Sequence, residues 1–286
     1  MIYIYQLSPI IILMRPISIP LSVEKYNKSS SFLKSEITSI TENFKKLFST
    51  EPDISIIIPA YNEEENILKT LFSLSKTNTK YSLEVIVVNN NSKDKTEELI
   101  NACGVICVNE LRQGITIARN SGLAIARGKY IMNADADTIY PESWIDNMID
   151  PLNNNNKIAL TYGRFSFIPE ETPRILYFFY EYLSDFNRHI NRLFKEEALN
   201  VYGFNSACRR EQCLKVDGFV HPPGTNEDGW LAMKLRKAGF GKLHWVTKSE
   251  SIVWTGDRRI IVDGGIYKST YDRFIKYFNF KHVKKS

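Results

Sequence analysis

The chain has 286 residues, enough to bury the core of one large domain or of two fused ones, and its 43% apolar and 24% charged residues exclude disorder. The formal charge of +5 is carried entirely by residues 265–286, so the rest of the chain balances and a broad nucleic-acid-binding face is excluded. Cys103, Cys107, Cys208 and Cys213 match no common zinc spacing and read as reduced thiols of a cytoplasmic protein.

Residues 1–52 read as an N-terminal extension. Its first 14 residues are apolar but contain Gln6, Ser8 and Pro9, carry no basic leader and fall short of the roughly 20 residues that span a bilayer, so neither a signal peptide nor a transmembrane helix is expected. Leu33, Ile37, Ile40, Phe44 and Leu47 then recur at helical spacing and predict one amphipathic helix docked on the body. From residue 53 buried strands alternate with helices: strands over 54–59, 84–89 and 105–108 and one ending near 132, helices over 64–74, 95–101 and 115–126. That alternation predicts an α/β fold with a mainly parallel, Rossmann-like sheet covered on both faces. Ligands then bind beyond the carboxyl ends of the strands, where residues 61–63, 89–92 and 135–137 all emerge. Beyond Pro151 the order loosens into one or two strands over 158–167, a long aromatic helix after Pro173, and a basic aromatic tail over 258–286. The expected division is residues 1–52, a first half over 53–160, a second half over 161–257, and the tail.

The chemistry concentrates at residues 129–139, KYIMNADADTI. If the chain stays extended, Asp135 and Asp137 leave the same face, and hard oxygen ligands at a strand end suit a divalent cation that takes its other ligands from water and substrate phosphates. By itself the pair also fits an acidic turn that caps the next helix. Downstream, Glu227 and Asp228 open a helix that runs to about residue 237, with Gly239 just past its end. Alone, these two acids fit an ordinary acidic first turn as well.

Five segments in order, SIIIPAYNEEENI, VIVVNNNSKDKT, GITIARNSGLAIARGKYIMNADAD, YGFNSACRREQCLKVDGF and NEDGWLAMKLRKAGF, give the chain a resemblance to glycosyltransferase family 2, of GT-A fold, over about residues 54–259. The resemblance implies that Pro59, Ala60, Tyr61, Asn62 and Glu63 hold the nucleotide, Tyr61 against the base and Glu63 accepting from ribose hydroxyls, although Asn62 and Glu63 also fit as caps of the next helix. Asn89 and Asn90 stand where the family more often has aspartates, which leaves the base open; Asn90 and Ser92 are assigned to the donor. Arg112, Arg119 and, near the chain end, Arg258 and Arg259 resemble diphosphate-neutralising residues, with a helix-surface role for Arg119 and a solvated basic turn for the last two as alternatives. Asp135 and Asp137 match the metal-binding pair for Mn²⁺ or Mg²⁺, Asp228 the catalytic base, and Gly203, Asn205, Ser206, Glu227 and Trp230 the acceptor side.

What the resemblance implies is an inverting transferase that moves a sugar from a nucleotide-diphosphate sugar to a hydroxyl of a glycan or lipid-linked acceptor. It would work in the cytoplasm or peripherally on the inner face of the cytoplasmic membrane. Alternatives are a non-catalytic nucleotide- or glycan-binding module of the same fold and a sugar-nucleotide-forming nucleotidyltransferase. The latter lacks its Gly-rich triphosphate loop here. Nucleic acid is not an expected partner. The tail's aromatics and basic residues suit either peripheral membrane contact or packing on the body.

Overall fold

The computed structural model describes residues 14–262, 264–266 and 268. Three helices begin it: α1 (Leu21–Glu24), α2 (Ser30–Ser35) and α3 (Ile37–Leu47). The predicted single amphipathic helix is thus two, joined at Glu36, which closes α2 in a helical conformation and starts α3. Both bury their apolar faces, with Leu33, Ile40 and Phe44 almost fully enclosed in the same core as α4, and Phe48 bridges to Leu83 of the sheet.

The alternating part follows as β1 (Ile54–Ala60), α4 (Ile67–Ser75), β2 (Leu83–Asn89), α5 (Thr96–Ala102), β3 (Ile106–Asn109), α6 (Ile115–Ile125), β4 (Tyr130–Asn133), the short β5 (Thr138–Ile139) and α7 (Trp144–Asn154). Then come β6 (Ile158–Tyr162), β7 (Phe165–Ile168), α8 (Arg174–Phe194), β8 (Ser206–Arg209), α9 (Arg210–Lys215), α10 (Glu227–Lys237), β9 (Lys242–Trp245), β10 (Val253–Gly256) and α11 (Arg258–Val262). Seven strands form one sheet in the order β3-β2-β1-β4-β8-β6-β9, parallel from β3 to β4, with β8 antiparallel to both neighbours and β9 parallel to β6. A second sheet, β5-β10-β7, stands beside the strand ends. The near-continuous apolar runs of β1 and β2 are buried because helices cover both faces, which a parallel sheet requires. The large sheet runs unbroken from the strands of residues 53–160 into those of residues 161–257. On one face α6 comes close enough that a Cβ at Gly122 would lie 2.5 Å from Ile57, so glycine sets that helix-to-sheet distance.

Buried polar pairs fix the strand ends. Glu84 on β2 accepts from Ser55 Oγ at 2.6 Å and from Arg127 Nε at 2.8 Å, and Ser55 in turn accepts the Gly128 amide. Of the cysteines, Cys103 and Cys107 are free; Cys208 and Cys213, expected reduced, are paired in the core. Of the tail expected over 258–286, Arg258–Val262 form α11, and its aromatic residues lie outside the described part. Among the described residues no helix is long and apolar enough to cross a membrane.

Because α3 completes the core over α4, Phe44→Ala is expected to lower unfolding free energy by about 3–5 kcal/mol in urea denaturation. A loss under about 1 kcal/mol, the range of surface substitutions, would mean that the extension is only loosely attached.

Candidate functional site

The carboxyl ends of β1, β2 and β4 meet at one cleft of about 540 Å³. Two turns build its floor by bonding to each other. Asn62 and Asn91 adopt left-handed backbone conformations, with φ of 54° and 62°, which asparagine tolerates better than most residues. The amides of Asn62, Glu63 and Glu64 donate to Ser92 Oγ, Thr96 Oγ1 and Asp94 Oδ2, and Asn62 Oδ1 accepts the Lys93 amide. These bonds leave Tyr61 half-exposed at the mouth and Glu63 facing the cleft.

Of the residues assigned to the donor from sequence, Pro59, Ala60, Tyr61, Glu63, Asn90, Asp135 and Arg259 line the cleft, together with Asp137 and Arg258. Asn62, Ser92, Arg112 and Arg119 do not. Asn62 and Ser92 tie the two turns together, and Arg112 is an exposed side chain whose guanidinium forks onto Glu110 through two bonds of 2.9 Å. Asn90 reaches the cleft but spends both amide hydrogens on the carbonyls of Glu110 and Arg112 and accepts the Gly114 amide at 2.8 Å. It therefore shapes the wall formed by Gln113, Gly114 and Ile115, three lining residues that sequence reasoning did not assign. The only sequence signal for them was a glycine immediately before a helix.

β4 ends at Asn133, and Asp135 and Asp137 follow in a turn rather than in the extended chain expected. Both nevertheless face the cleft. Burial, then the negative charges of Asp135 and Glu63, push the Asp137 carboxyl up to about 6, against the pull of Arg258 and Arg259. Arg258 bonds Glu63 and stands 3.8 Å from Asp137. A cation would relieve that crowding. The hard oxygens present fit Mn²⁺ or Mg²⁺ as two side-chain ligands, leaving other positions to water and phosphate. Among the described residues no three His, Cys, Asp or Glu side chains form a ready-made cage for an ion.

Behind the cleft wall lies Arg119, buried on α6 and not on a helix surface. Its Nη2 donates to Asp135 at 2.8 Å, and its Nε stands 3.7 Å from both Glu227 Oε1 and Asp228 Oδ1. One guanidinium thus joins the carboxylate turn to the start of α10, where Asn226 caps the helix by accepting the Gly229 amide. Asp228 is 8% exposed, and its Oδ1 has no hydrogen-bond partner. Burial, opposed by Arg119 and reinforced by Glu227 and Asp135, raises its carboxyl to about 7. A buried carboxylate of raised pKa within a cluster of charges is a candidate for proton transfer.

Gly203 lies directly on this pair: a Cβ there would sit 2.3 Å from Arg119 Nη2 and 2.4 Å from Asp228 Oδ2. Tyr140 accepts the Asp135 amide and donates to the carbonyl of Phe204, so the same segment is tied to the carboxylate turn. Asn205, assigned to the acceptor side, is instead a buried corner post that accepts from Trp144 Nε1 at 2.8 Å and donates to the Arg164 carbonyl at 2.7 Å. Ser206 accepts from Asn133 within the sheet, and Trp230 lies half-buried on the first turn of α10.

Among solved structures, the fold is similar to the mannosyltransferase PcManGT from Pyrobaculum calidifontis in complex with GDP-Man and Mn²⁺, with a TM-score of 0.53 and 20% identity over 82% of this chain and 68% of that one. S. aureus TarS in complex with UDP-GlcNAc is similar with a TM-score of 0.55 and 16% identity, covering 71% of this chain and 58% of the other. In sequence, glycosyltransferase AglE of Haloferax volcanii is 32% identical over 126 residues, 42% of this chain and 41% of that protein. The Escherichia coli UDP-Glc:alpha-D-GlcNAc-diphosphoundecaprenol beta-1,3-glucosyltransferase WfaP is 33% identical over 116 residues, 39% of this chain and 45% of that protein. The chain spans less than half the length of these two relatives. Residues 55–216, more than half of the chain, match the model of glycosyl transferase family 2, and with the fold and cleft described above the chain belongs to glycosyltransferase family 2.

Proposed function

We propose that the protein is an inverting, metal-dependent glycosyltransferase that moves a sugar from a nucleotide-diphosphate sugar to a hydroxyl of a glycan or lipid-linked acceptor. The observation that carries this reading is the Arg119 bridge, which puts an acid of raised pKa, Asp228, into one cluster with the carboxylate turn of the cleft. In the reaction, Tyr61 lies against the base, Glu63 accepts from the ribose, and Arg258 and Arg259 face the diphosphate. Asp135 and Asp137 hold the divalent ion, which when bound supplies Lewis-acid stabilisation of the leaving diphosphate. Asp228 takes the proton of the acceptor hydroxyl as that oxygen attacks the anomeric carbon opposite the leaving group, with inversion. Gly203 leaves room over the carboxylate, and Arg119 keeps it pointed. A nucleotide-binding module without turnover is disfavoured, because it has no use for a buried acid of raised pKa at this place.

The base assignment fixes a pH dependence. Asp228 must be ionised to act, and its carboxyl is raised to about 7, so kcat/KM is expected to rise with pH through about 7 and then level off. A profile flat down to pH 5 would contradict a base of raised pKa. Asp228→Asn is expected to lower kcat by about 10²- to 10⁴-fold while donor binding stays nearly unchanged. Since a raised carboxyl pKa withdraws stability as pH climbs above the unfolded value, the same substitution should leave the Tm at pH 8 equal or higher. A lowered Tm would mean that the ionised acid is structural.

Chelation of divalent metal is expected to abolish release of nucleoside diphosphate from the donor, and added Mn²⁺ or Mg²⁺ to restore it. Asp137→Ala should cost several kcal/mol of transition-state stabilisation, about 10²-fold or more in rate. Full activity of that variant would remove the metal assignment.

A further inference from the structure

Helix α8 buries charge and leaves apolar side chains outside. Its inward face carries Glu181, Ser184, Asp185 and Arg188 beside Tyr177 and Tyr180, all buried, while Ile175, Phe179, Leu183, Phe186 and Phe194 stand in solvent, Phe179 63% and Phe194 67% exposed. These five are spaced by four, four, three and eight residues, so they form one strip along a helix of 21 residues, about 31 Å at 1.5 Å per residue. Its rotation is fixed. Asp185 accepts from Arg15 at 2.8 and 2.7 Å, from Arg164 at 2.9 Å and from Arg188 at 2.8 Å, and Glu181 accepts from Arg174 and from the Phe167 amide, both at 2.9 Å. Turning the apolar strip inward would strand these charges, so its exposure is imposed by the buried network.

We propose that this strip is a membrane-contact surface for a bilayer with anionic headgroups. Soluble proteins seldom expose so long a contiguous apolar patch without a partner. The patch extends beyond the helix: exposed Met14 and Ile17 are drawn alongside it, since the Arg15 amide donates to Tyr182 and Arg174 donates to the Pro16 carbonyl. Charge selects lipid over another surface. The only carboxylates of α8 are the two turned inward, and four arginines surround them, so the potential behind the strip is positive and suits anionic lipid, while the exposed Arg192 is paired with Glu197. The chain also leads there: residues 1–13, outside the described part, contain no charged residue in sequence and join at Met14, beside the strip.

The surface is linked to the site. Asn200 donates to the carbonyl of Arg188 and accepts from Asn191 of α8, and three residues later Gly203 lies on Asp228. On the transferase reading, an acceptor held at a lipid surface meets Asp228 from this side; the docking itself does not rest on that reading.

The test is flotation of the full chain with vesicles of phosphatidylcholine alone or mixed with phosphatidylglycerol, comparing the parent with a Phe179→Ser, Phe186→Ser double variant. Both positions lie outside the cleft, so an unchanged Tm and unchanged metal-dependent donor hydrolysis certify the variant's fold. The parent is expected to float with the anionic vesicles, much less with neutral ones, and the double variant to lose about tenfold or more of its binding. The proposal is overturned if the parent fails to float, if it binds both vesicle types equally, or if the double variant floats like the parent, which would move the contact to the tail or the first residues. It is also overturned if light scattering finds a dimer that the double variant dissociates while neither protein binds vesicles. Flotation without any donor turnover would remove the functional reading and leave this one standing.

Discussion

A single buried guanidinium holds the two ends of the site together. Arg119 is enclosed on α6 between the carboxylate turn after β4 and the first turn of α10, elements about a hundred residues apart in the chain, and it faces Asp135, Glu227 and Asp228 at once. Arginine suits this place because its charge survives burial and its planar fork can serve several acceptors. Three carboxylates around one cation leave excess negative charge, and burial magnifies it. Burial above all, with that excess adding to it, keeps Asp228 basic, while on the cleft side a similar crowd of Asp135, Asp137 and Glu63 is held in check by Arg258 and Arg259 and suits a metal ion. The fold supplies the position: α6 approaches the sheet closely at Gly122, and the 202–205 segment crosses Asp228 at the only residue type that fits, Gly203.

Much of this was legible in the sequence, for physical reasons that can be named. The apolar runs of β1 and β2 and the helical spacing between them announced a covered parallel sheet, and strand ends in such a sheet converge whatever the loops contain. The start of α10 was readable because its paired acids and closing glycine are local signals. What failed depended on tertiary partners. Arg112 and Arg119 were given the same task, yet one forks onto the neighbouring Glu110 in solvent and the other is buried at the centre of the site; nothing in the local sequence separates them. Asn62, Ser92 and Asn205 read as ligands but are spent on backbone groups of other loops, a use of short polar side chains visible only once the loops are placed. The break between α2 and α3 falls inside an uninterrupted apolar periodicity, so periodicity alone could not find it.

The outward apolar strip of α8 was read from sequence simply as a long aromatic helix. In the structure its acids turn inward, because Arg15 arrives from about 170 residues away to join Arg164 and Arg174 around Glu181 and Asp185, and part of its apolar surface faces solvent. Charge pairing from distant segments, not the helix's own pattern, decides which face is inside.

The most direct measurement of the central account is the pH profile of kcat/KM for Glu227→Gln. Glu227 does not react in this scheme; its charge and hydrogen bond only help to raise the carboxyl of Asp228. The account predicts that the acid limb moves to lower pH than in the parent, with the plateau at high pH largely retained. An acid limb that stays in place, or shifts upward, would contradict a base whose strength is raised, beyond the effect of burial, by the charges gathered around Arg119.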